Sequence, residues 1–91
     1  MEKNRAEKPQ VILYTTDPCR RCLRAKEVLE RHGLEYREVD LAKDPSGRRK
    51  LVELTGYSTF PQITVDGRSL GGFEELQAAA EIGALDALTA D

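Results

Sequence analysis

The sequence has little of what a membrane, secreted or nucleic-acid-binding protein needs. It has no run of about 18 apolar residues, so no helix is expected to cross a bilayer and no membrane partner is expected. The opening MEKNRAEKPQ is charged and leads only into VILY, too short for the apolar core of a secretory signal. The cytoplasm is therefore the expected compartment. The formal net charge is only -2, which gives no global basic field and no expected nucleic-acid partner. Histidine occurs once and cysteine twice. A structural zinc site takes four nitrogen or sulfur ligands, and His32 lies too far along the chain from the cysteines to join them, so no metal is expected. His32 itself reads as a boundary residue near a helix end. Internal repeats and low-complexity segments are also missing.

What is present is ordinary for one small globular domain. Of the 91 residues, 40% are apolar and 33% charged, enough to bury a modest core without staples. Residues 1–9 read as a flexible tail ending at Pro9, and residues 10–91 as the domain. QVILYT is a short β-branched and aromatic run, the pattern of a buried strand. RRCLRAKEVLERHG has helical spacing: Cys22, Ala25, Val28 and Leu29 share a face, and Gly33 ends the helix. Lys26–Glu30 and Glu27–Arg31 are expected as opposite-charge pairs one turn apart. LEYREVDL, with Leu34, Tyr36, Val39 and Leu41 as its apolar positions, predicts a second strand, parallel to the first through a right-handed crossover. In DPSGRRKLVELTG, Asp44 is an N-cap, Pro45 the first helical residue and Gly56 the terminator, with Leu51, Val52 and Leu54 facing inward. PQITVDGRSL is a hairpin turning at Asp66-Gly67. GGFEELQAAAEIG opens a last helix that packs through Phe73, Leu76, Ala79 and Ala80, extended by Leu85 and Leu88. The order β-α-β-α-β-β-α describes an α/β protein with a four-stranded mixed sheet flanked by helices.

The two cysteines stand together in TTDPCRRC. C-x-x-C alone fits a metal clip, a structural staple or a working redox pair. Its place at a strand-to-helix junction of a βαβ unit favours the third. Cys19 falls at the helix N-terminus, where unpaired N–H groups and the helix dipole favour a thiolate. Arg20 and Arg21 add positive charge beside it. Cys22, one turn in, shares its face with Ala25 and Leu29 and is the less exposed of the two. Cys19 is the expected attacking thiolate and Cys22 the resolving thiol.

YTTDPCRRC, TGYSTFPQI and GGFEEL, in this order and spacing, resemble the glutaredoxins over roughly residues 10 to 85. The resemblance implies a thioredoxin-like fold. It also implies reduction of protein disulfides and protein–glutathione mixed disulfides, with glutathione as co-substrate and no other cofactor. It assigns Cys19 as nucleophile and Cys22 as the second cysteine. Thr59, Phe60 and Pro61 match the segment that pairs with the cysteinyl unit of glutathione, and the Phe60–Pro61 bond is expected to be cis. Gly71 and Gly72, followed by Phe73, Glu74 and Glu75, match the stretch that holds the γ-glutamyl end. Arg48 matches a residue near the glycyl carboxylate. Thr16, Arg20 and Arg21 complete the expected glutathione-contacting set. Glu74 and Glu75 also suit the first turn of a helix with no ligand at all.

Three positions depart from the family pattern. Thr16 stands where many members carry Lys, Arg20-Arg21 replaces Pro-Tyr, and Phe60 replaces a valine. The expected partners are glutathione and glutathionylated or disulfide-containing proteins, and the expected working unit is a monomer. Two other activities fit the same motif. One is a homodimer carrying a glutathione-ligated 2Fe–2S cluster. The other is a redoxin reduced by thioredoxin reductase.

Overall fold

The computed structural model describes residues 9–88. The tail expected over residues 1–9 lies, but for Pro9, outside the described residues. The chain runs β1 (Val11–Thr15), α1 (Arg20–Arg31), β2 (Arg37–Asp40), α2 (Pro45–Thr55), β3 (Gln62–Val65), β4 (Arg68–Gly71), α3 (Phe73–Glu81) and a 3₁₀ turn over Ala84–Leu88. The four strands form one sheet in the order β2-β1-β3-β4. β1 pairs parallel with β2, and Leu13 lies opposite Glu38. β1 pairs antiparallel with β3, and Leu13 faces Ile63. The β3–β4 hairpin turns at Asp66 and Gly67, both with positive φ (53° and 82°). That pair of angles is what a two-residue turn needs to match the strand twist, and glycine supplies one of them at no steric cost.

One core fixes this arrangement. Val11, Leu13 and Ile63 of the sheet pack with Ala25 and Leu29 of α1, Phe73 and Leu76 of α3, and Leu34 and Leu85 from the connections. Leu13, Ala25, Ile63 and Leu76 are completely removed from solvent. β3 is central, so Gln62, Ile63 and Thr64 are buried in succession instead of alternating. α1 and α3 pack on each other, and the Arg24 guanidinium lies 5.0 Å from the centre of the Phe73 ring.

Three local expectations are corrected. β2 is shorter than the apolar pattern from Leu34 to Leu41 suggests. Leu34 donates its N–H back to Leu29 at 3.0 Å and so belongs to the end of α1. Leu34 and Leu41 are buried at either end of a strand whose own residues are largely exposed. In α2, only Leu51 is buried, while Val52 and Leu54 are exposed. That helix lies at the outer edge of the sheet against β4 and offers it one narrow stripe. Lys26 does not pair with Glu30. It reaches across to Glu38 of β2 at 2.9 Å, and Glu30 accepts the Tyr36 hydroxyl at 2.8 Å. The half-buried Lys26–Glu38 contact is less screened than an exposed pair one turn apart. The capping of α2 follows the sequence: the Asp44 carboxylate accepts from the Gly47 N–H at 2.9 Å, and Gly56 closes the helix in a left-handed conformation.

Candidate active site

β1 delivers the chain to the start of α1, and the redox pair sits on that junction. Cys19 has extended backbone angles (φ -159°, ψ 103°) and is the N-cap of α1. Its carbonyl accepts the first helical hydrogen bond, from Leu23 N–H at 3.3 Å. Its sulfur accepts from the Cys22 backbone N–H at 3.1 Å. The thiol group thus takes the place of the Ser, Thr or Asp oxygen that usually caps a helix. The first turn contains no acidic residue to offset the dipole there. Cys19 and Cys22 form a disulfide with Cα atoms 5.3 Å apart. Cys22 is only 3% exposed, on the buried face it shares with Ala25 and Leu29, while Cys19 is half-buried. Phe60–Pro61 is cis, as the resemblance implies; Asp17–Pro18 is cis as well, which nothing in the sequence marked.

The expected glutathione-contacting residues fall into three neighbourhoods. Thr16, Arg20, Cys19 and Cys22 line a cleft of about 360 Å³, together with Lys26 and Glu38. Thr59, Gly72, Glu74 and Glu75 line a second of about 470 Å³, with Gln62 and Tyr57. Arg48 and Phe60 border a third, shallower groove beside Val52 and Ser58. Arg21, next to Arg20 on α1, sets its guanidinium 2.6 Å from the Glu74 carboxylate of the second cleft. This contact brings the start of α1 against the start of α3.

Within the second cleft, the two glutamates have different tasks. Glu75 accepts from the Gly72 N–H at 2.8 Å and so caps α3. Gly71, with φ 125°, makes room for it: a Cβ there would come within 2.6 Å of Glu75 Cγ. Glu74 points to Arg21. Thr59 Oγ1 accepts from the buried Gln62 amide at 3.2 Å. Two residues of the expected set are held elsewhere. Phe73 is 6% exposed and belongs to the core under Arg24. Arg48 donates through one terminal nitrogen to the carbonyls of Leu41 (2.7 Å) and Ala42 (3.0 Å), fastening α2 to the loop before it.

Sequence reading missed Lys26, Glu38 and Thr15 as neighbours of the cysteines. Thr15 donates its hydroxyl to Glu38 at 2.9 Å, and Lys26 holds the other carboxylate oxygen. Lys26 was within reach of the sequence, since it lies four residues past Cys22 on the same helical stripe. Glu38 was not, because its position depends on the β1–β2 register.

The glutaredoxin family model matches residues 11–70 of the chain. A glutaredoxin of Pseudomonas aeruginosa is 39% identical over 80 residues, spanning 88% of this chain and 95% of that protein. Glutaredoxin 3 of Escherichia coli K12 is 33% identical over 78 residues, spanning 86% and 94% respectively. Among solved structures, glutaredoxin from Brucella melitensis superposes with a TM-score of 0.77 at 39% identity, over 90% of this chain and 91% of that one. A buckwheat glutaredoxin–glutathione complex superposes with a TM-score of 0.79 at 21% identity, over 89% and 76%, which is a likeness of fold. By sequence and by thioredoxin-like fold, the chain belongs to the glutaredoxin family, and its chemistry is thiol–disulfide exchange.

Proposed function

We propose that this oxidoreductase is glutathione-dependent and reduces both protein disulfides and protein–glutathione mixed disulfides. The observation that carries the reading is the Arg21–Glu74 contact, which sets the cleft of Thr59, Gly72, Glu74 and Glu75 beside the helix that bears the disulfide. Glutathione brings an ammonium and two carboxylates on a flexible backbone. Glu74 is the carboxylate placed for the ammonium. It now holds Arg21, but both side chains are more than half exposed (62% and 57%). A pair that open contributes little stability, so exchanging one cation for another costs little. The first-turn N–H groups of α3 that face no helical acceptor suit the γ-glutamyl carboxylate. Thr59 lines the same cleft as Glu74, and Phe60 borders a groove with Arg48.

The reaction follows from the two sulfurs. The Cys19 thiolate attacks the glutathione sulfur of a mixed disulfide; the bond to the protein sulfur breaks, and the protein leaves as thiolate. A second glutathione thiolate then attacks the glutathione sulfur held by Cys19 and departs as glutathione disulfide, restoring Cys19. Alternatively the Cys22 thiolate attacks Cys19 Sγ, releases glutathione and forms the Cys19–Cys22 disulfide. No organic cofactor enters either route. The enzyme acts as a monomer in the cytoplasm, where the glutathione pool is reducing.

The test is turnover of a glutathionylated small disulfide, coupled in parallel to glutathione with glutathione reductase and to thioredoxin reductase. The reading expects turnover in the first arm. Turnover confined to the second would replace glutathione by thioredoxin reductase as electron donor. A coloured protein containing two iron per dimer would point to cluster carriage instead.

A further inference from the structure

The cleft that holds the disulfide also holds a charged network to which the exchange reaction as described above assigns no role. Glu38 of β2 is bound on one oxygen by Lys26 at 2.9 Å and on the other by the Thr15 hydroxyl at 2.9 Å. Thr15 is 2% exposed, and the Lys26 and Glu38 side chains are about one-third exposed. Cys22, Lys26 and Glu38 line the same cleft. Lys26 lies one helical turn beyond Cys22, so the two side chains are neighbours on one stripe of α1.

Opening the disulfide creates a charge at Cys22. An incoming thiolate attacks Cys19 Sγ, the Cys19–Cys22 bond breaks, and its electron pair leaves on Cys22 Sγ. That sulfur takes a proton from water only afterwards. In the opposite direction, Cys22 must release its proton to water before it attacks Cys19. Either way a thiolate exists for a time at a site only 3% exposed, where burial disfavours the charged form. It lacks the advantage of Cys19, which receives a backbone N–H at the helix start.

We infer that the Lys26–Glu38 pair serves the resolving cysteine: Lys26 supplies the positive charge that stabilises Cys22 while it is a thiolate, and Glu38, fixed by Thr15, is the positioning residue that aims and moderates that ammonium. The inference rests on Cys22 having the resolving role, and it needs no glutathione. The other charged groups around the cleft are Asp17 in the loop, Arg20 at the start of α1 and Asp40 on β2, with Cys19 itself. Arg21 at the helix start is turned to Glu74 of α3.

The pair predicts opposite signs for its two members. In a Cys19→Ser background Cys22 is the only thiol, and serine at position 19 still caps the helix. Ultraviolet thiolate titration then reads Cys22 directly. Lys26→Gln removes the cation and leaves the Glu38 charge unbalanced in the same cleft, so the titration moves to higher pH. Glu38→Gln removes the anion that offsets Lys26, so it moves to lower pH. Lys26→Arg keeps the charge and stays near the parent. Shifts of the same sign in the Gln variants, or no shift, would overturn the inference, since loss of packing alone has no reason to respond to charge sign. With both cysteines present, Lys26→Gln should slow dithiothreitol reduction of the Cys19–Cys22 disulfide roughly two- to fivefold at neutral pH, because a leaving thiol of higher pKa departs more slowly. If Lys26→Gln does not fold by circular dichroism, Glu38→Gln against Lys26→Arg still decides: the first must move the titration down and the second must not.

Discussion

Cys19 and Cys22 are chemically identical and three residues apart, yet the fold treats them differently. Cys19 caps a helix, accepts a backbone N–H and stays half-buried, while Cys22 is buried on the same face of α1 as Ala25 and Leu29. Cys19→Ser should therefore abolish exchange with every disulfide. Cys22→Ser should keep deglutathionylation and lose reduction of protein disulfides. Equal loss of deglutathionylation in both variants, measured with a glutathionylated peptide, would remove the division of roles. A second residue-scale effect concerns Tyr36. Burial first, then its hydrogen bond to Glu30 and the nearby negative charges of Glu30 and Glu38, push its hydroxyl up to about 12. A raised folded value means the stabilisation is complete below the unfolded value of about 10 and is lost as pH rises toward about 12. The stability difference between wild type and Tyr36→Phe should thus narrow across that alkaline window in urea melts. A constant difference would mean that the hydroxyl adds only packing.

At the scale of elements, the termini of the helices carry the site. α1 starts on Cys19, and α3 starts on Gly72 with Glu75 folded back onto its N–H. Gly71 is the residue that permits the second arrangement. Its φ of 125° is a conformation that side chains rarely adopt, and an added Cβ would meet Glu75 Cβ at 2.7 Å. Gly71→Ala is expected to cost about 1–3 kcal/mol through backbone strain and the displaced cap. It should also raise KM for glutathione more than it lowers kcat, because Glu74 and Glu75 move while Cys19 does not. A fall in kcat at constant KM would place the damage at α1 instead. These element ends were the most legible part of the chain. Asp44-Pro45, Gly56, Asp66-Gly67 and the cysteines at the start of α1 are local signals that need no knowledge of the rest. The partners chosen by long side chains were not legible. Arg21 finds Glu74, Lys26 finds Glu38, and Arg48 finds two carbonyls of the preceding loop. The first two depend on which elements the fold brings together, the third on how the preceding loop bends back, and a helix read in isolation offers only its own neighbours one turn away.

For the whole molecule, a single core ties the sheet to α1 and α3, and the redox helix has no separate foundation. The outer helix α2 is less well coupled, since apart from Leu51 its apolar residues face solvent. This is why its expected inward stripe from Leu51 to Leu54 misread the packing: an apolar residue on a short edge helix needs a partner layer, and none of the described residues supplies one over Val52 and Leu54. Leu13 stands at the other extreme. It is fully buried at the centre of the sheet, lies opposite Ile63 on β3 and Glu38 on β2, and belongs to the strand that leads to Cys19. Leu13→Ala should cost about 2–5 kcal/mol as a lost transfer term plus a residual cavity. Domains of this kind have only about 5–15 kcal/mol in total, so the variant should melt far earlier while its denaturant m-value stays unchanged. Since the core is continuous, far-ultraviolet circular dichroism and tyrosine absorbance should report one coincident transition. Below that transition, disulfide exchange per folded molecule should equal that of wild type, because the Cys19 cap and the Arg21–Glu74 contact are local to the helix ends. A variant that stays folded but exchanges slowly would show that packing under β1 also sets the geometry of Cys19. The strand would then be part of the catalytic apparatus as well as its support.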